Sequence, residues 1–244
     1  MFLKLTLLFF IGCFGGWIME FFFRRIVHKK WCNPGFLTGP WLPIYGTGLC
    51  ALYLLCRIPL PFIHNAVWEA VVRILLITVT MTAIEYVTGM IFIVGMKVKL
   101  WDYSNRWGNI HGVICPLFSL IWGVIGGAYA VLVDPEIVGI LNWFSDNLAY
   151  SFVVGTVFGV FLVDVCYSFG VVSKIRNWAA EKNVVVKYEE LKTAFAEKKR
   201  AAFEKLTFLL PFRSKRGIKE DMNEYLADEE TEEKSVWHGA ARKK

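Results

Sequence analysis

Among its 244 residues the chain has no Cys-x-x-Cys pair, no His-Glu-x-x-His, no Gly-x-Ser-x-Gly and no Gly-x-x-x-x-Gly-Lys-[Ser/Thr]. These absences remove the recognisable routes to thiol-paired metal or redox chemistry, zinc-dependent hydrolysis, elbow-type acyl transfer and ATP hydrolysis by a phosphate loop. The four histidines are scattered. The six cysteines, at 13, 32, 50, 56, 115 and 166, fall mostly inside apolar runs. They read as free thiols packed as small hydrophobes. Charge is scarce as well: the first 172 residues carry only 10 Lys or Arg and 8 Asp or Glu. The expectation is therefore no catalytic residues, no metal and no cofactor.

Apolar sequence is what the chain has in excess. Hydrophobic residues make up 56% of it, against about 45–50% in soluble domains. The excess lies in runs of about 20 residues, the length that crosses a bilayer. The predicted fold is an all-α integral membrane protein with a transmembrane domain over 1–172. Five spans are expected, at roughly 2–23, 42–56, 74–95, 113–133 and 148–172. The first run continues past Cys13 to Phe23 with only Lys4 before it, which fits an uncleaved span rather than a processed leader.

Loop charges alternate. Arg24, Arg25, Lys29 and Lys30 follow span one; Lys97, Lys99 and Arg106 follow span three; Lys174 and Arg176 follow span five. The second loop has Arg57, with Glu69 and Arg73 an ion pair at the outer end of span three, and the fourth has Asp134, Glu136 and Asp146 without a cation. The positive-inside rule then puts the N-terminus outside and the C-terminus in the cytoplasm of a multi-pass plasma-membrane protein. The net charge of +6 points to anionic lipid headgroups as partners and not to nucleic acid. After the last span, residues 173–210 show apolar positions at Tyr188, Leu191, Phe195, Ala202, Leu206 and Leu209. That spacing predicts a cytoplasmic amphipathic helix. Residues 211–244 are polar and read as a disordered tail.

Three acids fall inside spans: Glu20, Glu85 and Asp164. An ionisable group at the bilayer centre costs on the order of 3 kcal/mol, so such residues face a bundle interior or a wet cavity. Spans one, three and five run in the same direction. At about 1.5 Å per residue, Glu85 lies near the midplane, with Asp164 about 6 Å and Glu20 about 11 Å further inward. Glu20 also has a local partner available in Arg24, one turn on.

Span two opens with "GPWLPIYG" (39–46). Pro40 and Pro43 remove backbone donors, and Gly39 lets the chain bend. Irregular backbone at membrane depth is tolerated only where protein or water covers it, and interrupted spans point to transporter binding sites. Span four opens similarly: Gly39-x-x-x-Pro43-Ile-Tyr45 matches Gly112-x-x-x-Pro116-Leu-Phe118. Each follows a carboxylate before an aromatic, Glu20-Phe21 and Glu85-Tyr86. Two parallel helix-pair repeats plus a fifth span are the expectation. The third loop, "KLWDYSNRWGNIHG" (99–112), is rich in aromatic and polar groups. Within it, Arg106 and His111 are placed to meet Glu20 or Asp164 from the cytoplasmic side. An interfacial histidine is the alternative for His111. Trp41, Trp101, Trp107 and Trp178 read as anchors at the inner interface.

The stretches "GPWLPIYG", "EYVTG" (85–89), "LWDYSNRWGNIHG" (100–112) and "SLIWG" (119–123) resemble the "putative ABC-transporter type IV" family, also called CmpB-like. The resemblance covers residues 1 to about 172 and implies a permease of several spans. It supplies no substrate and no catalytic residues. The expected function is a transport-related membrane protein with a cytoplasm-facing pocket. Its lining would be Glu20, Glu85, Asp164, Trp41, Tyr45, Asp102, Arg106 and His111, with the broken backbone at Gly39, Pro40, Pro43, Gly112 and Pro116. Without its own phosphate loop it would need a separate ATPase or another driving force, and so few spans would favour a homo-oligomer. A scaffold or regulatory subunit acting through the tail, and an intramembrane lipid-modifying enzyme, are the alternatives.

Overall fold

The computed structural model describes residues 1–29, 31, 33–61, 63–182, 184–188, 190–194 and 223. The order is α1 (Phe2–His28), α2 (Pro43–Cys56), α3 (Ala66–Met90) ending in a π turn at Ile91–Gly95, and β1 (Val98–Lys99). It continues with α4 (Pro116–Ala128), a π turn at Tyr129–Val133, α5 (Asp134–Asp146), α6 (Ser151–Lys182) and β2 (Val186–Lys187).

The protein is a mostly helical membrane protein. Four helical runs are long and apolar enough to cross a bilayer: Phe2–Val27, Ala66–Gly95, Pro116–Asp146 and Leu148–Lys182. The expected span at 42–56 is the exception. α2 has 14 residues, about 21 Å of helix against a hydrocarbon core of about 30 Å. The missing depth is made up by irregular chain. Leu42 N donates to Cys13 O (3.1 Å), so the segment before α2 lies against the middle of α1. α2 then runs antiparallel to α1, with Cys50 Sγ reaching Leu5 O.

Proline explains where α2 and α4 start. Each has proline in its first turn after an extended residue, Leu42 and Cys115. There the missing N–H has no intrahelical partner to lose. Pro135 also lies in the first turn of α5, but it follows the helical Val133 within one continuous run. The expected end of span four at Val133 marks this redirection, not the end of the helical run. α5 then lies against α1: Ile137 and Leu141 join Leu8, Leu52, Tyr53, Ile77, Met81 and Tyr129 in one buried cluster.

α1 and α2 approach closely because glycines meet glycine. A Cβ on Gly12 would sit 2.8 Å from Gly46 Cα and 2.9 Å from Tyr45 O, both backbone atoms that cannot step aside. α6 joins through Phe10, Phe144 and Val154, with Trp41 and Phe161 alongside. Trp41 packs within this cluster, and Trp178 is buried in another. Trp107, by contrast, is exposed.

The predicted tail helix is interrupted. α6 runs on to Lys182, the chain is extended at 184–187, and β2 pairs in parallel with β1 (Val98 with Val186, Lys99 with Lys187). Residue 188 and residues 190–194 are helical again. Residues 195–210 of the expected helix and nearly all of the polar tail lie outside the described residues.

Overpacking a tight contact costs about 1–3 kcal/mol. Gly12→Leu, whose side chain meets backbone, is expected to lower the thermal midpoint in detergent by several degrees, read by fluorescence-detected size exclusion. Gly15→Leu, where a Cβ meets nothing, is expected to leave it unchanged.

Candidate functional site

The segments between α1 and α2 and between α3 and α4 fold back along the helices before them, the first as far as Cys13 in mid-α1 and the second to Gly89 and Glu85 in the last turns of α3. Their polar groups are met by named partners. Asn33, buried, is the hub of the first: its amide donates to Leu37 O (3.1 Å) and Thr38 O (2.8 Å), and its Oδ1 accepts from Trp17 Nε1 (2.8 Å). The Thr38 and Gly39 amides donate to Asp164 at 3.0 and 2.8 Å. Pro40 and Pro43 have no amide to satisfy. In the second segment Trp101 Nε1 donates to Val113 O (2.8 Å), Tyr103 N to Gly112 O (2.8 Å) and Gly112 N to Asn109 Oδ1 (3.1 Å). Gly112 sits at φ +66°, where a Cβ would meet Ser104 Oγ at 2.5 Å and Lys99 Nζ at 2.6 Å. Both conformation and space demand glycine there.

Glu85 is buried, 5% exposed. Its two oxygens each accept from a neutral donor: Tyr103 OH (3.1 Å) and Trp122 Nε1 (3.3 Å). Tyr103 stacks on Phe118 with ring centroids 4.4 Å apart. Glu20 accepts from Tyr45 OH (3.3 Å) and faces Arg24 at 3.5 Å, one turn along α1. Tyr45 and Trp122 meet edge to face, centroids 6.0 Å apart. Two carboxyl groups, one on α1 and one on α3, are thus joined through an aromatic pair supplied by the first turn of α2 and the second turn of α4. Residues 7–169 match the model of the family described as "putative ABC-transporter type IV". The chain belongs to that family. No curated protein and no solved structure matches it.

The match spans all three acids, both folded-back segments and the helices that carry them, but the acids do not share one set of partners. Asp164 takes its hydrogen bonds from Thr38 N, Gly39 N and the Ser168 hydroxyl (3.1 Å). It clasps backbone rather than joining the Glu20–Glu85 pair. Trp41 lies with it, its ring against Phe10 and Phe161. Arg106 is exposed and meets neither Glu20 nor Asp164. His111 Nδ1 sits 3.2 Å from Tyr86 OH, away from both of those acids. Arg24 takes the place expected of Arg106. Asp102 holds the second segment at its polar rim, 2.7 Å from Lys99 Nζ and 3.8 Å from Lys187 Nζ.

Three partners escape a reading by sequence. Trp122 lies 37 residues from Glu85, and Tyr103 reaches it only because the loop folds back. A signal existed for Trp122: it is one turn after Phe118, on the same helix face. Nothing in its neighbourhood marks Asn33 as the hub. Among the described residues, no group of three His, Cys, Asp or Glu is arranged to hold a metal. What the pair offers chemically is two carboxyl groups within the bundle, one beside an arginine at Glu20 and one met by neutral donors at Glu85.

Hydrogen bonds to a charged group contribute about 1.5–3 kcal/mol. Asp164→Asn, which turns one acceptor towards an amide as a donor, is expected to lower stability by about that amount, measured as the denaturation midpoint in detergent. Asp102 gives a pH signature. Burial pushes its carboxyl up, but hydrogen bonds from Lys99 and Ser104 and the Lys99 charge outweigh this and hold it at about 2 against an ordinary 3.8. A depressed folded value means the unfolded chain takes the proton first, so its stabilisation is full above pH 3.8 and lost as pH falls towards 2. Tryptophan fluorescence of the loop, referenced to Trp101→Phe, is expected to be flat above about pH 4 and to change below it. Asp102→Asn should abolish that change.

Proposed function

We propose that this chain is a transport subunit whose Glu20–Glu85 pair handles a cation or a proton at membrane depth. The observation that carries the reading is Glu85: a buried carboxylate on a spanning helix whose hydrogen bonds come from uncharged donors. Intramembrane carboxylates of this kind mark ion pathways and proton relays, and the broken helices beside it are the arrangement expected of transporter sites. The family's description as ABC-transporter type IV supports a transport role. Asp164 and Trp41 belong to the frame of this site, Tyr45, Tyr103 and Trp122 to its lining.

Orientation follows from charge. The end carrying Arg24, Arg25, Lys29, Lys97, Lys99, Arg106 and Lys174 faces the cytoplasm of the plasma membrane, which makes the folded-back segments cytoplasmic entrances. The two helix pairs, α1–α2 and α3–α4, are parallel repeats: each joins a carboxylate-bearing helix to a short helix that begins with proline at depth. A chain without a phosphate loop takes its energy from a separate ATPase or from an ion gradient. Its small number of spans favours a homo-oligomer in anionic lipid.

The test is flux in proteoliposomes with an internal pH dye and an imposed monovalent-cation gradient. The wild-type chain is expected to move protons or the cation. Glu85→Gln is expected to reduce the rate at least tenfold while the protein inserts and elutes normally. An unchanged rate in Glu85→Gln, or no flux in the wild type, overturns the reading.

A further inference from the structure

The chain after α6 does more than leave the membrane. Through residues 184–188 and 190–194 it touches both folded-back segments, chiefly at backbone carbonyls. Val186 N donates to Lys97 O (3.0 Å) at the start of the second segment, where Lys97 has φ 56°. β2 then runs beside β1, and Lys187 faces Asp102. Tyr188 OH donates to Phe36 O (3.1 Å) in the first segment. Lys192 Nζ donates to Asn33 O (2.8 Å) and Gly35 O (2.6 Å).

Lys192 is the telling residue. It is 4% exposed, and lysine is almost never buried unless its charge is met. Here backbone carbonyls of Asn33 and Gly35 meet it, with the Tyr188 ring 5.4 Å away. Asn33 is also the hub that orders the first segment from within. The strap is seated on a hydrophobic cluster of its own: Val98, Val171, Val172, Ile175, Trp178, Ala179, Val186, Tyr188 and Leu191. Its apolar side packs while its polar side caps carbonyls.

What the strap holds matters because of where the segments lead. The first feeds directly into Pro43 and Tyr45, the donor to Glu20; the second carries Tyr103, the donor to Glu85. We propose that residues 184–194 are a strap that ties the two segments together across the ends of α1, α3 and α6 and closes the polar entrance to the Glu20–Glu85 pair. Its release frees both segments at once. The link to transport rests on the function proposed above, but the strap itself does not, and it is tested without measuring flux.

The experiment is peptide-level hydrogen–deuterium exchange on the full chain in detergent micelles. Two variants are compared with wild type: Lys192→Met with Tyr188→Phe, and Val98→Cys with Val186→Cys. The latter positions are aligned neighbours in the strand pair, about 4.8 Å apart at Cα, within disulfide range. In the first variant exchange is expected to rise about tenfold in both 33–42 and 97–115. In the oxidised second variant exchange in both segments is expected to fall below that of its own reduced form. Faster exchange confined to 184–194, or to one segment, overturns the strap. Equal exchange in the oxidised and reduced forms overturns it too, and that arm does not depend on the first variant folding.

Discussion

A peptide group without a hydrogen-bond partner is costly in hydrocarbon, and this fold carries two stretches of peptide groups that no helix satisfies. Everything unusual in the bundle answers that constraint. Asn33 spends its side chain on Leu37 and Thr38 carbonyls. Asp164 spends its charge on two amides. Trp101 reaches Val113, and prolines sit where a donor would be orphaned. Polar side chains at depth therefore serve scaffolding as well as chemistry, and counting them does not separate the two roles.

Partners do separate them. Asp164 is met by backbone amides, an arrangement that fixes a loop and leaves the carboxylate engaged. Glu20 has a cation one turn away, which is the ordinary way to carry an acid on a helix. Glu85 has only a phenol and an indole. Neutral donors stabilise a carboxylate less than a cation does, and the proposed transport role rests on Glu85 for that reason. The aromatic pair between Glu20 and Glu85 keeps the two acids within one environment without joining them directly.

Much of this was legible from residue order. Apolar runs marked the long helices, and the prolines marked where α2 and α4 begin. Gly112 was marked as broken backbone before the second proline, and it adopts a left-handed φ there. Depth along the spans placed Glu20 and Glu85 on the correct helices but could not say which way they faced, because helices hydrophobic all round carry no stripe to orient them. Asp164 was grouped with the other two by depth alone, and direction around the helix axis set it apart. The strand pair was invisible: two residues on each side carry no periodicity to detect, and a partner 88 positions away leaves no local trace. The long tail stripe misled because Tyr188 and Leu191 are buried against α6 rather than lying on one continuous helix.

The late start of α2 and α4 has an electrostatic consequence. A helix carries about half a positive charge at its amino end, and in most spans that end lies in the headgroups, where water screens it. Here both ends are carried inward with the folded-back chain. Tyr45 lies in the first turn of α2 and touches Glu20; Phe118 lies in the first turn of α4 and stacks on the tyrosine that touches Glu85. Glu20 is thus one side chain, Tyr45, from the start of α2, and Glu85 is linked to the start of α4 through two stacked rings. Beginning two helices at depth supplies a diffuse positive field to the acids without placing another lysine or arginine in lipid.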